Sequence, residues 1–183
     1  MKKVVNMLLI VTCFIVLLTT TVIVKAEQNK EIAMEQEQDV SYVLPYPGML
    51  PDNPLYFLKE IRDKVVGWLI TDPVRKVEYL LLMSDKRVNS AVMLINKGEE
   101  EVGAETLNGA MSYLEETKGG VERLKNDSLD YKTVGNKVVL ATKKYGQELM
   151  KVEKNTKRVN EEVEKTIEES KRIGEEIEGM IKE

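Results

Sequence analysis

All five prolines of this 183-residue chain fall between positions 45 and 73, and residues 74–183 contain none. Proline lacks a backbone donor and clashes with the preceding helical turn, so it divides the chain into a short part that cannot be helical and a long part that can. Pro45, Pro47, Pro51 and Pro54 fall in the stretch Leu44 to Lys59 and favour an extended, stiff strap there. Gly48, directly after Pro47, suits a type II turn, whose third residue needs positive φ. Asp52 or Asn53 is placed to cap a helix that takes Pro54 as its first residue, where a missing N–H costs nothing. Tyr42, Tyr46 and Tyr56 give the strap aromatic anchors. Two readings follow. The strap either presents Tyr42, Tyr46, Pro47, Gly48 and Tyr56 to a partner or packs them across a helical bundle. Packing is the preferred reading.

Beyond the strap the apolar residues recur every three or four positions, the helical period. A first helix is expected from about Leu55 to Ile70, with Leu55, Leu58, Ile61, Val65 and Trp68 or Leu69 as its inward stripe. Asp72 and Pro73 restart the chain as N-cap and first helical residue. The second helix runs to about Lys97, with Val77, Ser84, Val88, Ala91 and Ile95 inward, and Gly98 ends it. Glu99, Glu100 and Glu101 open a third helix, where the dipole favours negative charge. Gly119 and Gly120 are expected to kink that helix or end it early, and Asn126, Asp127 and Ser128 form the next turn.

From Leu129 a seam running from Val134 to Met180 continues to the C-terminus, flanked by acid-first pairs such as Glu161–Lys165, Glu168–Arg172 and Glu178–Lys182. As one helix, this segment would be about 80 Å long. That outruns any partner in a compact bundle, so its last ~25–30 residues are expected to project, self-associate as a coiled coil, or fold back at Gly146 or near Asn155. Projection is the preferred reading. The expected fold class is all-α: an antiparallel bundle of about four helices, an N-terminal proline-rich strap, and a long projecting C-terminal helix.

The N-terminus carries its own signal. Lys2 and Lys3 precede Val4–Val24, 21 residues without a charge, and Ala26 offers a small residue for cleavage. Residues 1–26 therefore read as a cleaved signal peptide or an uncleaved anchor, long enough to span about 30 Å of hydrocarbon. Both readings place the rest outside the cytoplasm. Residues 27–41 read as a polar linker, 42–127 as a strap with a three-helix core, and 128–183 as the long charged helix whose first half packs on that core.

Composition removes much chemistry. The chain has no histidine and one cysteine, Cys13, inside the apolar run. Histidine-based nucleophile pairs, disulfides and thiolate metal cages are thus unavailable to the exported part. Without the first 26 residues, 24 basic residues face 31 acidic ones, a balance of −7, so neither anionic lipid nor nucleic acid is an expected partner. No metal motif, phosphate loop or dinucleotide turn is present, and neither a cofactor nor enzymatic activity is expected. Asn126-Asp127-Ser128 fits the N-glycosylation pattern.

The run from Ser41 to Arg87 resembles an uncharacterised prokaryotic family of exported or membrane-anchored helical domains, a domain of unknown function. The resemblance rests on Leu44, Pro45, Pro47, Gly48, Leu50, Pro51, Asp52, Pro54, Leu55, Tyr56, Leu58, Lys59, Arg62 and Asp63 in an LPYPGxLPDxPLYxLKxxRD pattern. Asp72, Pro73, Lys76, Glu78, Leu81, Asp85, Lys86 and Arg87 continue it. Val77 and Ser84 stand where alanine is commoner, a mild departure in packing size. The resemblance is plausible as far as Leu124 and leaves the terminal helix largely outside. It implies no activity.

Buried charges need partners, so Arg62, Asp63, Asp85 and Arg87 are expected to form a structural ion-pair network, Arg62 reaching Asp85 or Asp63 reaching Arg87. On that reading Arg62→Ala lowers the melting temperature. The functional expectation is a non-catalytic extracytoplasmic module that binds a protein or envelope component. The membrane would be engaged through residues 4–24 if uncleaved, and the C-terminal helix could oligomerise. The alternatives are the ectodomain of a membrane-associated sensor and a small surface enzyme using carboxylates.

Overall fold

The computed structural model describes residues 40–152 and 157–183. The expectations for residues 1–39, signal or anchor and most of the linker, lie outside the described residues. Five helices make up the described fold: α1 Tyr56–Leu69, α2 Pro73–Asn96, α3 Glu100–Asn126, α4 Tyr131–Met150 and α5 Lys157–Lys182, with no strand among the described residues.

Local chemistry sets the helix ends. Asp72 caps α2 through its Oδ1, which accepts from Arg75 N at 2.8 Å, and Pro73 follows as the first helical residue. The far end closes with Gly98 at φ +93°. Gly98 N donates to Ile95 O and Glu99 N to Leu94 O, both at 2.9 Å, the paired bonds of a Schellman motif. The end of α3 repeats this pattern, with Ser128 in place of glycine at φ 56°. The entry to α1 differs from expectation. Pro54 is not its first residue; Asn53 Oδ1 accepts from Leu55 N and the helix starts at Tyr56. Gly119 and Gly120 do not end α3, which runs unbroken to Asn126. Gly120 is there for close approach: a Cβ on it would lie 2.5 Å from Val77 Cγ2 of α2.

Helices α2–α5 form the bundle as two antiparallel hairpins. In the first, Ser84 of α2 meets Ala110 of α3 and Val77 meets Gly120. In the second, Thr142 of α4 meets Gly174 of α5 and Gly135 meets Ile177. The hairpins pack with like directions together, α2 beside α4 and α3 beside α5. The core spans both hairpins in two clusters, one with Leu114, Val138, Tyr145 and Ile173 and the other with Leu107, Leu149 and Val163, all fully buried.

The C-terminal segment thus corrects the expectation of a projecting helix. It breaks after Met150, and α5 returns along α3 and α4 rather than extending into solvent. A ladder marks the α3–α5 seam: Glu101–Arg158, Asn108–Lys165, Glu115–Arg172, Lys118–Glu176 and Lys125–Glu183. Its rungs keep a constant offset of 57 or 58 residues, and the first three recur every seven, as in a parallel coiled coil. The partner that the seam residues of α5 call for is α3 of the same chain. Arg172 therefore bonds Glu115 and Glu176 rather than Glu168. Such exposed pairs are worth at most about 1 kcal/mol each. They fix register, while burial of Val159, Val163, Ile173 and Ile177 holds the helix down.

Candidate functional site

Two features stand apart from ordinary bundle packing: a sealed polar node and an outward-facing helix beside the strap.

The node is built on Asp85, in the middle of α2 and 3% exposed. Its expected partner was an arginine. Instead Tyr42 Oη donates to Oδ2 at 2.7 Å and Tyr145 Oη donates to Oδ1 at 2.6 Å. Tyr145 Oη also lies 3.1 Å from Ser84 Oγ, which donates to Ala110 O at 3.0 Å. Burial pushes the Asp85 carboxyl up to about 6, against the pull of the two tyrosine hydroxyls. Burial, with Asp85 beside them, also pushes both phenols up, so they stay protonated donors. A buried carboxylate needs hydrogen bonds more than it needs a cation, and two hydroxyls from distant parts of the chain supply them. Tyr42 thereby pins the start of the strap. Gln147 Oε1 accepts from Val40 N at 3.0 Å, and Asn89 Nδ2 donates to Pro45 O at 3.0 Å.

The other expected ion pairs are also redrawn. Arg62 reaches its neighbour Asp63, at 2.7 Å, and is otherwise in solvent. Arg87 pairs with Glu60 at 3.0 Å and lies over the Tyr113 ring, 5.1 Å from its centroid. Arg62 points to solvent rather than to Asp85, and Glu60, not Asp63, pairs with Arg87.

Helix α1 reverses the usual polarity. Its expected inward stripe faces out: Trp68 is 81% exposed, and Leu58, Ile61, Val65 and Leu69 are each at least half exposed. Only Gly67 is buried, against the Tyr79 ring. The side facing the bundle is polar. Tyr79 Oη donates to Asp63 O at 2.7 Å, Lys76 donates to Gly67 O, and Glu60 meets Arg87. Among the helices, α1 neighbours only α2.

Between α1 and the strap runs an open groove of about 490 Å³, bounded by Tyr46, Met49 and Leu58. Its charged lining residues are all basic: Lys59, Arg62 and Lys86. Burial, with Lys86, Arg87 and Arg62 nearby, lowers the Lys59 ammonium below its ordinary range despite Asp63. Lys59 donates to Met49 O at 3.2 Å and sits 4.8 Å from the Tyr56 ring centroid.

The strap residues therefore divide. Tyr42 is structural, Pro47 is buried, and Gly48 takes a positive φ of +76°. Tyr46, 74% exposed, and half-buried Tyr56 flank the groove region. Asn126 is exposed at the last residue of α3. The sequence reading missed Glu60, Lys59, Lys86 and Tyr145 as site residues. Tyr145 was legible only as a seam position, and the others are charges on helix faces that periodicity does not rank. Among the described residues no group of acidic or thiol side chains is placed to hold a metal ion, and no helix is long and apolar enough to cross a membrane.

A family model described as "Domain of unknown function (DUF5667)" matches residues 48–180, and the chain belongs to that family. The match extends well past Leu124 and takes in most of α5, which the expected resemblance left outside. No curated protein matches the chain. No solved structure matches it.

Proposed function

We propose that this member of the DUF5667 family is a non-catalytic extracytoplasmic docking module, and that the outward apolar face of α1 is its docking surface. One observation carries the reading: α1 turns its polar side to the bundle and its apolar side to solvent. Monomeric proteins rarely leave a contiguous apolar patch uncovered unless something binds there. The polar seam to α2 holds the helix in place without using that face. The extracytoplasmic setting is supported by Lys2 and Lys3 ahead of the uncharged run Val4–Val24. The carboxyl group with the most unusual environment, Asp85, is sealed inside the bundle, where it serves the strap rather than a substrate.

A photo-crosslinking residue placed at position 68 in living cells tests this, with the exposed Lys171 position of α5 as control. Adducts from position 68 and none from position 171 are expected. Equal yields at both positions, or none at either, would sink the docking role.

A further inference from the structure

Resting on the docking reading above, we infer that the occupant of the α1 face is the surface of an anionic lipid bilayer, on which α1 lies flat. The distribution of charge around α1 carries this. At 100° per residue, Phe57, Trp68, Ile61, Val65, Leu58 and Leu69 cover an arc of about 120°. Lys64 borders one edge of that arc and Arg62 the other. The acids of the helix, Glu60 and Asp63, fall outside the arc: Glu60 meets Arg87 of α2, and the Asp63 carboxylate accepts from the Arg62 guanidinium at 2.7 Å. The outward face is therefore apolar in the middle, with Lys64 at one rim and Arg62, paired to Asp63, at the other.

That is the arrangement of a helix lying in a membrane interface. Its apolar arc, with a tryptophan and a phenylalanine, enters the headgroup boundary while rim cations reach lipid phosphates. Lys59, Arg62 and Lys86 line the strap groove beside α1 and add positive charge next to that arc. Fourteen residues make a helix about 21 Å long, too short to span hydrocarbon but suited to lying on it.

Two further observations favour lipid over a second copy of this chain. A two-fold contact would bring the cationic rims of two copies together, and the carboxylate beside them, Asp63, is already held by Arg62. The apolar run Val4–Val24 also lies just ahead in sequence, and residues 25–39 can span at most about 50 Å when fully extended. A run seated in a bilayer would keep α1 within reach of that surface.

The test uses the full chain reconstituted into nanodiscs of phosphatidylcholine alone or mixed with phosphatidylglycerol. The readout is the emission of Trp68, the sole tryptophan, and its quenching by lipids brominated near the headgroup end of the acyl chain. This signal is local to α1, so membrane attachment through residues 4–24 does not produce it. Emission at shorter wavelength with lipid quenching is expected in the anionic discs, and less of both in the neutral ones. Arg62→Gln with Lys64→Gln is expected to cut the docked-to-free ratio about 30-fold, roughly fivefold per charge, with an unchanged melting temperature.

Trp68 that stays open to aqueous iodide in anionic discs overturns the lipid assignment. If position 68 nevertheless crosslinks to a protein in cells, the docking module stands and only its occupant changes. If position 68 crosslinks to nothing, both readings fall. A Trp68 shift that needs protein concentration and no lipid identifies a second copy and also overturns the inference.

Discussion

Asp85 makes the stability of this protein depend on pH in an unusual direction. The carboxyl group is pushed up to about 6 in the folded chain, against 3.8 for the free group. A raised folded value means that the folded state binds the proton more tightly than the unfolded one. The associated stability is complete below about pH 3.8 and is lost as pH rises through 6. At pH 5, one unit below the folded value, linkage gives a gain of about 1.4 kcal/mol over pH 7.5. For a chain of this size that corresponds to a rise of about 3–5 °C in melting temperature.

The window is clean because no histidine titrates in it. Glu176, held low by hydrogen bonds from Lys118 and Arg172, and Glu183, held low by Lys125, act in the opposite sense. Their stabilisation is present above the ordinary carboxylate range and is lost only as pH falls below it. Thermal unfolding followed by circular dichroism between pH 7.5 and 5 measures the effect. Asp85→Asn keeps an acceptor for one tyrosine and an amide donor for the other hydroxyl, and it is expected to flatten the curve. A wild-type melting temperature that falls or stays level between pH 7.5 and 5 would refute the reasoning. So would an Asp85→Asn variant that keeps the wild-type slope.

Other substitutions probe the packing by thermal or chemical denaturation. Arg62→Ala is expected to change stability by no more than about 0.5 kcal/mol, because the side chain meets only its neighbour Asp63, whereas Arg87→Ala should cost more by stranding Glu60 and uncovering Tyr113. A larger loss for Arg62→Ala would restore the discarded cross-helix network. Gly120→Ala puts a Cβ against Val77 and should cost about 1–3 kcal/mol; no loss would mean that α2 and α3 approach less closely than described. Ile61→Ser with Val65→Ser should leave the melting temperature nearly unchanged, whereas a loss of the size seen for core truncations would place that face inside the fold.

Much of the bundle was legible because helical periodicity and caps are local. Asp72–Pro73, Gly98 and the stripe from Val77 to Ile95 gave α2 both its ends and its buried face. The seam from Val134 to Ile177 likewise named buried positions on α4 and α5. What was not legible depends on contacts distant in sequence. Periodicity says that α1 has an apolar stripe, but not which way it faces. That is decided by Tyr79, Lys76 and Arg87 of α2, which bond the polar side of α1. The break between α4 and α5 carries neither proline nor glycine; a return near Asn155 is among the readings the sequence allows, but its partner helix could be read only from the heptad match between Glu101, Asn108 and Glu115 and Arg158, Lys165 and Arg172. Asp85 was expected to pair with a cation, because that is how buried charges are most often compensated. Tyr42 and Tyr145, 43 and 60 residues away, do it instead.

The outward apolar face of α1 is the central claim, and Trp68 reports on it directly. Iodide quenching of Trp68 in residues 40–183, free of lipid and with helical content first checked by circular dichroism, is the decisive measurement. A quenching constant close to that of a free tryptophan peptide, with emission at long wavelength, is the expected result. Shielded Trp68 with emission at short wavelength in dilute, monomeric protein would contradict the account.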